Sequence, residues 1–266
     1  MVSIVNSLDL HDARALLEPL FVLAACKREV TAEVIGKFSK GKRNDQLARF
    51  YFAGPDAGHD PIRLGLFAGV HGDEPAGCAA LVQFLTALSA EPQRAAGYEL
   101  WVYPLVNPSG YGAGTRETSS GKDLNRGFWR DSSEPEVRLI EQELLKHRFD
   151  GIITVHADDT CEGLYGYSHG RTLDEMLLGP ALIAAERVRP RDRRGVIDGF
   201  NAKDGVICDC FQGILSPSPE QNPRPFNLIF ETPAQAPFTD QVAATVAALD
   251  TIIASYRGFI SHAQYL

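Results

Sequence analysis

The sequence predicts an α/β fold with three layers, in which a mixed, mostly parallel and twisted sheet carries helices on both faces. Two observations support this. Four short segments are almost continuously apolar, as strands buried on both faces are, and they span residues 62–70, 98–106, 151–155 and 226–230. Between them lie segments with helical periodicity and recognisable helix ends. Strands that alternate with helices in this way form parallel sheets covered on both sides.

The N-terminal part of the chain is predicted to form a helix and a hairpin. Residues 8–26 have helical character, interrupted by Pro19. Residues 30–38 and 47–53 alternate apolar and polar side chains, as half-buried strands do. The polar stretch 39–46 joins these two segments, so we expect an antiparallel hairpin.

Three later helices are predicted from their ends. Asp73 is expected to cap the helix that follows the first buried strand. Ser133 and Glu136 match a capping box at the start of the next helix. Thr239 begins a final helix with apolar residues at helical spacing, and Gly258 is expected to end it. The segment 189–225, with five prolines and little periodicity, is predicted to be irregular.

The composition excludes several classes of function. The chain has 266 residues, of which 44% are hydrophobic, and 26 basic against 34 acidic residues give a net charge of −8. Because it has no strongly basic block, neither nucleic acid nor an anionic membrane surface is expected as a partner. The N-terminus has no secretory pattern, and its apolar run at 20–26 is too short to cross a bilayer, so we expect a cytoplasmic protein. Its scattered cysteines predict no disulfide framework, and Cys208 and Cys210 are interpreted as ordinary thiols rather than metal ligands.

Polar, reactive residues come directly after the buried strands. His71 to Glu74 follow the first strand, Asn107 follows the second, His156 the third and Glu231 the fourth. Ligands of open α/β sheets bind outside the carboxyl ends of the strands. We therefore expect these side chains to meet at one edge of the sheet.

Three of these residues suit a zinc site. Two imidazoles and one carboxylate fill three positions around zinc and leave the fourth for water. His71 and Glu74 lie three residues apart at a strand–helix junction, and His156 follows from another strand end. A His-x-x-Glu pair alone is a weak signal. In the alternative interpretation, Glu74 is stabilised by the helix dipole and His71 is an ordinary turn histidine.

Six motifs occur in a fixed order: His71-x-x-Glu74, Asn107-Pro-x-Gly, Arg116, Asp123-Leu-Asn-Arg126, His156 and Glu231. With these motifs the chain resembles the zinc carboxypeptidase superfamily, whose compact branch includes succinylglutamate desuccinylase and aspartoacylase. The resemblance implies a carboxypeptidase/phosphorylase-like fold and one Zn²⁺ ion. It spans residues 62–257, which we expect to be the catalytic core of a single domain over 1–266, with the N-terminal helix and hairpin in 1–55.

The resemblance also implies roles for the individual side chains. The two histidines and Glu74 bind the zinc ion, and Asp123 accepts a hydrogen bond from the other ring nitrogen of His71, as carboxylates behind metal ligands do. Asn125 and Arg126 hold a free carboxylate of the substrate, because a planar guanidinium matches a planar anion. The alternative for Asp123 is a turn-forming aspartate in a loop.

Two further residues take part in the chemistry that the resemblance implies. Arg116 faces the oxyanion that develops during amide hydrolysis. Glu231 is the general base, at the end of a buried strand where its surroundings set its pKa. The alternatives are a surface arginine without a specific contact and an exposed glutamate that opens a loop.

Three functions remain open from the sequence. The leading hypothesis is a zinc-dependent hydrolase of an amide bond, acting on a small peptide or peptide-like substrate with a free carboxylate. The second is a deacylase of N-acyl amino acids, and the third is an inactive binder of zinc or carboxylates. Desuccinylase and aspartoacylase members carry a β-rich domain after the catalytic glutamate. Here 35 residues follow Glu231, and they are predicted to form mainly one helix. This favours a peptide-like substrate.

The sequence does not decide the roles of several polar residues. Classical carboxypeptidases have a tyrosine shortly before the catalytic glutamate, but residues 196–231 contain none. Tyr165 and Tyr167 either line the pocket or pack in the core. Asp158 and Asp159 either orient His156 or touch the substrate. The arginines between 187 and 194 are interpreted as a solvated helix end rather than a contact for an acidic substrate.

Overall fold

A computed structural model describes residues 11–40 and 43–263 of the chain. Its sheet is built from β1 (Val30–Lys40), β2 (Arg43–Ala53), β3 (Ile62–Phe67), β4 (Tyr98–Tyr103), β5 (Gly151–Asp158), β6 (Tyr165–Tyr167), β7 (Val196–Ile197), β8 (Phe200–Lys203), β9 (Val206–Ile207) and β10 (Phe226–Pro233). These ten strands form one sheet in the order β1-β2-β4-β3-β5-β10-β6-β9-β8-β7. The four central strands, β4, β3, β5 and β10, are parallel to their neighbours within this group. Antiparallel pairs flank the group on both sides.

Seven helices of the described residues connect or flank these strands: α1 (Ala13–Cys26), α2 (Pro75–Ala90), α3 (Pro108–Tyr111), α4 (Pro135–His147), α5 (Arg171–Leu173), α6 (Gly179–Ala185) and α7 (Phe238–Ala263). Short 3₁₀ turns occur at Pro92–Ala95 and Leu124–Arg126, and a π-helical turn at Asp174–Leu178 precedes α6. No helix among the described residues has the length and apolar character needed to cross a membrane.

Helices cover both faces of the sheet. One face packs against α1, α2, α6 and α7, and Leu66 and Val102 of the parallel strands point to this side. The other face packs against α4, and the neighbouring residues Phe67 and Tyr103 point there. This alternation follows from the strand geometry, in which successive side chains point to opposite faces. The predicted α/β fold with three layers and a mixed sheet is confirmed.

Two helix starts differ from the prediction for the same reason. Asp73 does not cap α2, and Ser133 and Glu136 form no capping box at α4; Glu74 and Glu134 occupy the N-cap positions without a side-chain cap. Each helix begins with a proline. Proline has no N–H and its φ already suits a helix, so the first turn needs less capping.

Two other helix boundaries also differ from the prediction. The first helix begins at Ala13, where Asp12 caps it, and continues through Pro19; residues 8–10 of the predicted helix lie outside the described part. The last helix begins at Phe238 and continues through Gly258. A glycine inside a helix costs only about 1 kcal/mol, which the packed face of α7 outweighs.

A buried polar network lies between α4 and the sheet. Glu143 accepts hydrogen bonds from Arg49 (2.6 Å) and Tyr103 (2.8 Å), and its carboxylate lies 3.2 Å from the ring of His147. Burial alone would raise the pKa of Glu143, but these three partners outweigh it and lower the pKa to about 2. The network ties α4 to β2 and β4, away from the edge where the reactive residues gather.

Candidate metal centre

Three buried side chains meet at the carboxyl edge of the parallel strands. His71 and Glu74 lie between β3 and α2, and His156 lies on β5. One ligand atom from each of the three lies within 4.8 Å of the other two. Atoms that share one zinc ion lie about 3–4 Å apart, because each is about 2 Å from the ion. The three residues therefore fit a single metal ion with little adjustment.

Both histidines turn Nδ1 towards the Glu74 carboxylate. His71 Nδ1 is 2.5 Å from Oε1, and His156 Nδ1 is 2.9 Å from Oε2. The backbone N–H of Ala157 also donates to Oε2, at 3.1 Å. All three side chains are buried, with 4% to 6% of their residue surface exposed. Two imidazoles and a carboxylate are the donor set that zinc accepts, so the residues present fit the metal that the sequence predicts.

The charges of the site balance one another. Burial alone would raise the pKa of Glu74, but the two imidazoles outweigh it and hold the pKa well below its ordinary value. Burial alone would lower the pKa of His71, but Glu74 and Asp123 outweigh it and raise the pKa to about 9. Metal ligands must be deprotonated, so a metal ion at this position displaces a proton from His71.

Two glycines bring the neighbouring loops into close contact. A Cβ on Gly72 would lie 2.0 Å from the backbone carbon of Gly110, so no other residue fits there without movement. The side chain of Asn107 accepts the N–H of Gly110 (2.8 Å) and donates to the backbone oxygen of Arg116 (3.2 Å). The Asn107-Pro-Ser-Gly motif therefore positions the loop of Arg116 against the turn that carries Gly72.

Asp123 connects Arg116 with His71. Its Oδ2 accepts hydrogen bonds from Nε and Nη2 of Arg116, at 3.1 Å and 3.0 Å. Its Oδ1 accepts the N–H of Asn125 at 2.8 Å and lies 3.2 Å from His71 Nε2. Burial alone would raise the pKa of Asp123, but these partners outweigh it and lower the pKa well below its ordinary value. Asp123 thus lies beside the ring nitrogen that the resemblance assigns to it, and it also fixes Arg116.

Asn125 and Arg126 line the same cavity as His71 and Glu74. Asn125 is buried, and its side-chain oxygen accepts the N–H of Leu215 at 2.8 Å, which leaves its amide N–H groups for a ligand. Nη1 of Arg126 donates to the backbone oxygen of Asn125 at 2.8 Å, and its guanidinium lies 4.6 Å from the centre of the Phe211 ring. None of the ion pairs within the described part of the chain involves Arg126, so its charge is available to an anion.

Glu231 lies on β10, in register with His156 on β5 and with Tyr165 on β6. Residues opposite one another on neighbouring strands point to the same face, so these three side chains project to one side of the sheet. Burial and the charges of Glu74, Asp158 and Asp198 raise the pKa of Glu231 well above its ordinary value, and Arg116 opposes them.

A cavity of about 310 Å³ joins most of these groups. Its lining includes His71, Glu74, Arg116, Asn125, Arg126 and Glu231 but not His156 or Asp123. Tyr165 and Tyr167 line it and do not serve only as core packing. Their hydroxyl groups donate to two carboxylates, Tyr165 to Asp158 at 2.9 Å and Tyr167 to Asp198 at 2.6 Å. Asp198 is a lining residue that the sequence analysis missed. Its only sequence signal, an Asp-Gly pair, predicts a turn and not its place in a cavity.

The arginine cluster lies outside the cavity, as the solvated interpretation predicts. Arg191 and Arg193 pair with Glu186, and Arg194 pairs with Asp192. Cys208 and Cys210 likewise join no metal-binding group among the described residues, although Cys210 lines the cavity.

The family model of the succinylglutamate desuccinylase/aspartoacylase catalytic domain matches residues 61–158, a stretch that contains all three metal-ligand candidates. No curated protein gives a significant match.

Solved structures are similar over nearly the whole chain. A "putative metallopeptidase" from Shewanella amazonensis SB2B is 26% identical, with a TM-score of 0.77 and coverage of 92% of this chain and 93% of that chain. Another from Shewanella denitrificans OS217 is 27% identical, with a TM-score of 0.75 and coverage of 92% and 90%. A metallo-carboxypeptidase from Burkholderia cenocepacia is 15% identical, with a TM-score of 0.70 and coverage of 92% and 68%. Together with the family model, these similarities support a place in the carboxypeptidase-like superfamily, near the succinylglutamate desuccinylase/aspartoacylase branch, and the chain shares the carboxypeptidase fold.

Proposed function

We propose that this protein is a zinc-dependent hydrolase that cleaves an amide bond in a small peptide or peptide-like substrate with a free carboxylate. The observation that carries the proposal is the convergence of His71, Glu74 and His156 beside a cavity that also contains Glu231 and Arg126. The site thus combines a set of candidate metal ligands, a carboxyl group with a raised pKa and a cation that has no acidic partner among the described residues.

His71, Glu74 and His156 would hold a zinc ion, which would act as a Lewis acid towards the scissile carbonyl and would make water more acidic. The chain's own residues provide the rest of the mechanism. The Glu231 carboxylate takes a proton from the attacking water and returns it to the leaving nitrogen. Burial raises the pKa of Glu231 and so makes its carboxylate a stronger base than an ordinary glutamate, which suits this role.

Arg116 and Arg126 have different tasks in this proposal. The Arg116 guanidinium, anchored by Asp123, faces the negative charge that develops on the carbonyl oxygen. That charge is largely absent from the bound substrate, so its stabilisation raises the rate. Arg126 and the amide of Asn125 bind the free carboxylate of the substrate and set its orientation.

The second candidate function is hydrolysis of an N-acyl amino acid. The match of residues 61–158 to the desuccinylase/aspartoacylase catalytic domain favours it. The similarity to the two Shewanella proteins, which covers at least 90% of either chain in each pair, favours a peptide-like substrate. Release of C-terminal residues from dipeptides, compared with hydrolysis of N-acyl amino acids by the same preparation, separates the two.

The test of the proposed function uses the zinc-loaded protein and its Glu231→Gln variant. We expect one zinc per chain in both proteins by elemental analysis, and loss of hydrolysis by at least about a hundredfold in the variant, in the range of general-base contributions. Treatment with a chelator should abolish activity of the wild type, and zinc should restore it. Full activity of Glu231→Gln, or activity that persists without metal, would exclude this mechanism.

A further inference from the structure

The side chain of Arg126 has few polar contacts that would hold it in place. It is exposed and belongs to no ion pair within the described part of the chain. Nη1 donates to the backbone oxygen of Asn125 at 2.8 Å, and its other guanidinium nitrogens donate to no described residue. A long side chain that is ordered only on binding loses conformational freedom, which weakens affinity. A contact that orders Arg126 beforehand would therefore strengthen its binding of an anion.

The ring of Phe211 makes such a contact. The guanidinium carbon of Arg126 lies over this ring, 4.6 Å from its centre, within the roughly 6 Å over which a cation and an aromatic face attract each other. The N–H groups of a guanidinium lie in its plane, so a ring on its face does not cover them. Nε and Nη2 of Arg126 thus remain available to the two oxygens of a carboxylate.

Further aromatic rings hold Phe211 in turn. Its ring is 36% exposed and packs edge to face against Phe200 of β8, with the centroids 4.8 Å apart and the planes at 75°. Phe200 packs in the same way against Tyr167 of β6, at 6.2 Å and 84°, and Tyr167 is buried. Edge-to-face pairs are a favourable arrangement of aromatic rings. A row of three rings therefore connects Arg126 with the buried part of the sheet.

The backbone also fixes the loop of Phe211 against the segment of Arg126. A Cβ on Gly213, whose φ is 75°, would lie 2.5 Å from the backbone oxygen of Arg126. The N–H of Phe128 donates to the backbone oxygen of Gly213 at 3.1 Å, and the N–H of Leu215 donates to the side chain of Asn125 at 2.8 Å. These contacts hold the two segments side by side, so the fold itself brings the ring and the guanidinium together.

We propose that Phe211 is a positioning residue that stacks on Arg126 and orients its guanidinium for the free carboxylate of the substrate. This inference rests on the proposed function for the role of Arg126. Because phenylalanine has no hydroxyl group, its ring donates no hydrogen bond to the carboxylate. It acts on the carboxylate through Arg126.

The test separates this action from a direct apolar contact, since Phe211 also lines the cavity. N-benzoylglycine and N-benzoylglycinamide share one apolar group and differ only in the carboxylate, which an amide replaces. Both are titrated by calorimetry into zinc-loaded Glu231→Gln protein, in which turnover is suppressed. The ratio of their dissociation constants is the carboxylate preference, from which the apolar contacts cancel. We expect a preference of at least about tenfold, as hydrogen bonds to charged groups produce.

Phe211→Leu in the same background should reduce the carboxylate preference about three- to fivefold, the effect of a cation–π contact at a partly exposed site. Phe211→Tyr keeps the ring face and should keep the preference. Phe259→Leu is the matched control. Phe259 is 37% exposed and packs against Tyr256, and it does not line this cavity. We expect the control to leave the preference unchanged.

A double-mutant cycle tests whether the ring acts through Arg126. Arg126→Gln removes the charge and should reduce the carboxylate preference to less than about twofold, and Phe211→Leu should change it no further in that background. Nuclear magnetic resonance gives a readout without any ligand. The Nε–H signal of Arg126, identified by its loss in Arg126→Gln, should move in Phe211→Leu, because the ring current is lost, and should stay in place in Phe259→Leu.

Several results would overturn the inference. They are an equal loss of affinity for both probes in Phe211→Leu, an unchanged preference in that variant, the same loss in the control, and no binding of either probe. A preference that persists in Arg126→Gln would also overturn it, because the carboxylate would then bind elsewhere.

The inference and the proposed function fail in different ways. A zinc-dependent hydrolase in which Phe211→Leu has no effect on the carboxylate preference refutes the role of Phe211 and leaves the proposed function intact. A protein that shows the coupled preference but hydrolyses no amide bond refutes the proposed function and retains the role of Phe211.

Discussion

Replacing Asp123 with asparagine tests how the candidate metal centre is held together. The two carboxylate oxygens face different partners, with Arg116 on Oδ2 and the N–H of Asn125 and the ring of His71 on Oδ1. Asparagine has the same shape but only one acceptor oxygen, and its NH₂ group is a donor. In either orientation the NH₂ group faces another donor, so the variant loses its hydrogen bonds to Arg116 or its contact with His71.

Loss of the hydrogen-bond partner behind a metal ligand typically lowers metal affinity about 10–100-fold, which corresponds to about 1.4–2.8 kcal/mol. We expect a loss of this size in Asp123→Asn, measured as the zinc dissociation constant by competition with a fluorescent chelator. We also expect kcat/KM to fall by at least the same factor at saturating zinc, because Arg116 loses its anchor.

Asp192→Asn is a matched control for the Asp123 variant. Asp192 accepts the backbone N–H and the guanidinium of Arg194 but does not line the cavity. Its replacement therefore removes a similar set of hydrogen bonds at a distance from the metal centre, and zinc affinity should stay unchanged. If Asp123→Asn binds zinc as tightly as the control, Asp123 does not support His71 and the reasoning is refuted.

Two further substitutions test the packing of the sheet and loops that support the site. The folded-state pKa of Glu143 is lowered from 4.5 to about 2, so its carboxylate stabilises the fold above pH 4.5 and this contribution is lost as the pH falls towards 2. Each unit of this pKa shift corresponds to about 1.4 kcal/mol of stability. Because the partners of Glu143 can rearrange, we expect a smaller total: Glu143→Gln should lower the free energy of unfolding in urea by about 2 kcal/mol at pH 7. The difference from wild type should shrink below pH 4.5, and a difference independent of pH would contradict this account. Gly72→Ala would place its Cβ 2.0 Å from the backbone carbon of Gly110, so we expect unfolding or at least a hundredfold loss of zinc affinity. Gly195→Ala is the control, because nothing lies within 4 Å of its new Cβ. It should match wild type in circular dichroism and in zinc binding. Normal zinc binding by folded Gly72→Ala would show that the two loops are not in close contact.

The sequence was informative about the site because its residues follow directly from buried strands. The four apolar runs indicated the parallel strands, and each run leads into a reactive side chain. Parallel strands end at the same edge of a sheet, so local periodicity was enough to predict that His71, His156 and Glu231 lie close together. Their register, with Glu231 opposite His156, was not predictable, because both runs are almost continuously apolar and show no alternation that would align them.

Helix ends were predicted less well than strands. Capping signals such as Ser133 and Glu136 are short and common, and the proline at the start of α4 made them unnecessary. α2 also begins with a proline, and its N-cap residue Glu74 makes no side-chain hydrogen bond to the helix. The Glu74 carboxylate contacts the two histidines instead.

The sequence alone predicted the α/β class and the central strands, because these depend on periodicity, and it indicated the metal-ligand candidates through residue types at strand ends and the family resemblance. The short strands β7, β8 and β9 lie in the segment 189–225 that was predicted to be irregular. Only the tertiary structure decided what surrounds the metal-ligand candidates. Asp198 lines the cavity from a hairpin 33 residues before Glu231 in the chain. The hydroxyl group of Tyr167, which lies on a different strand, donates a hydrogen bond to its carboxylate. Such contacts join segments that are distant in sequence, and no local pattern encodes the distance between them.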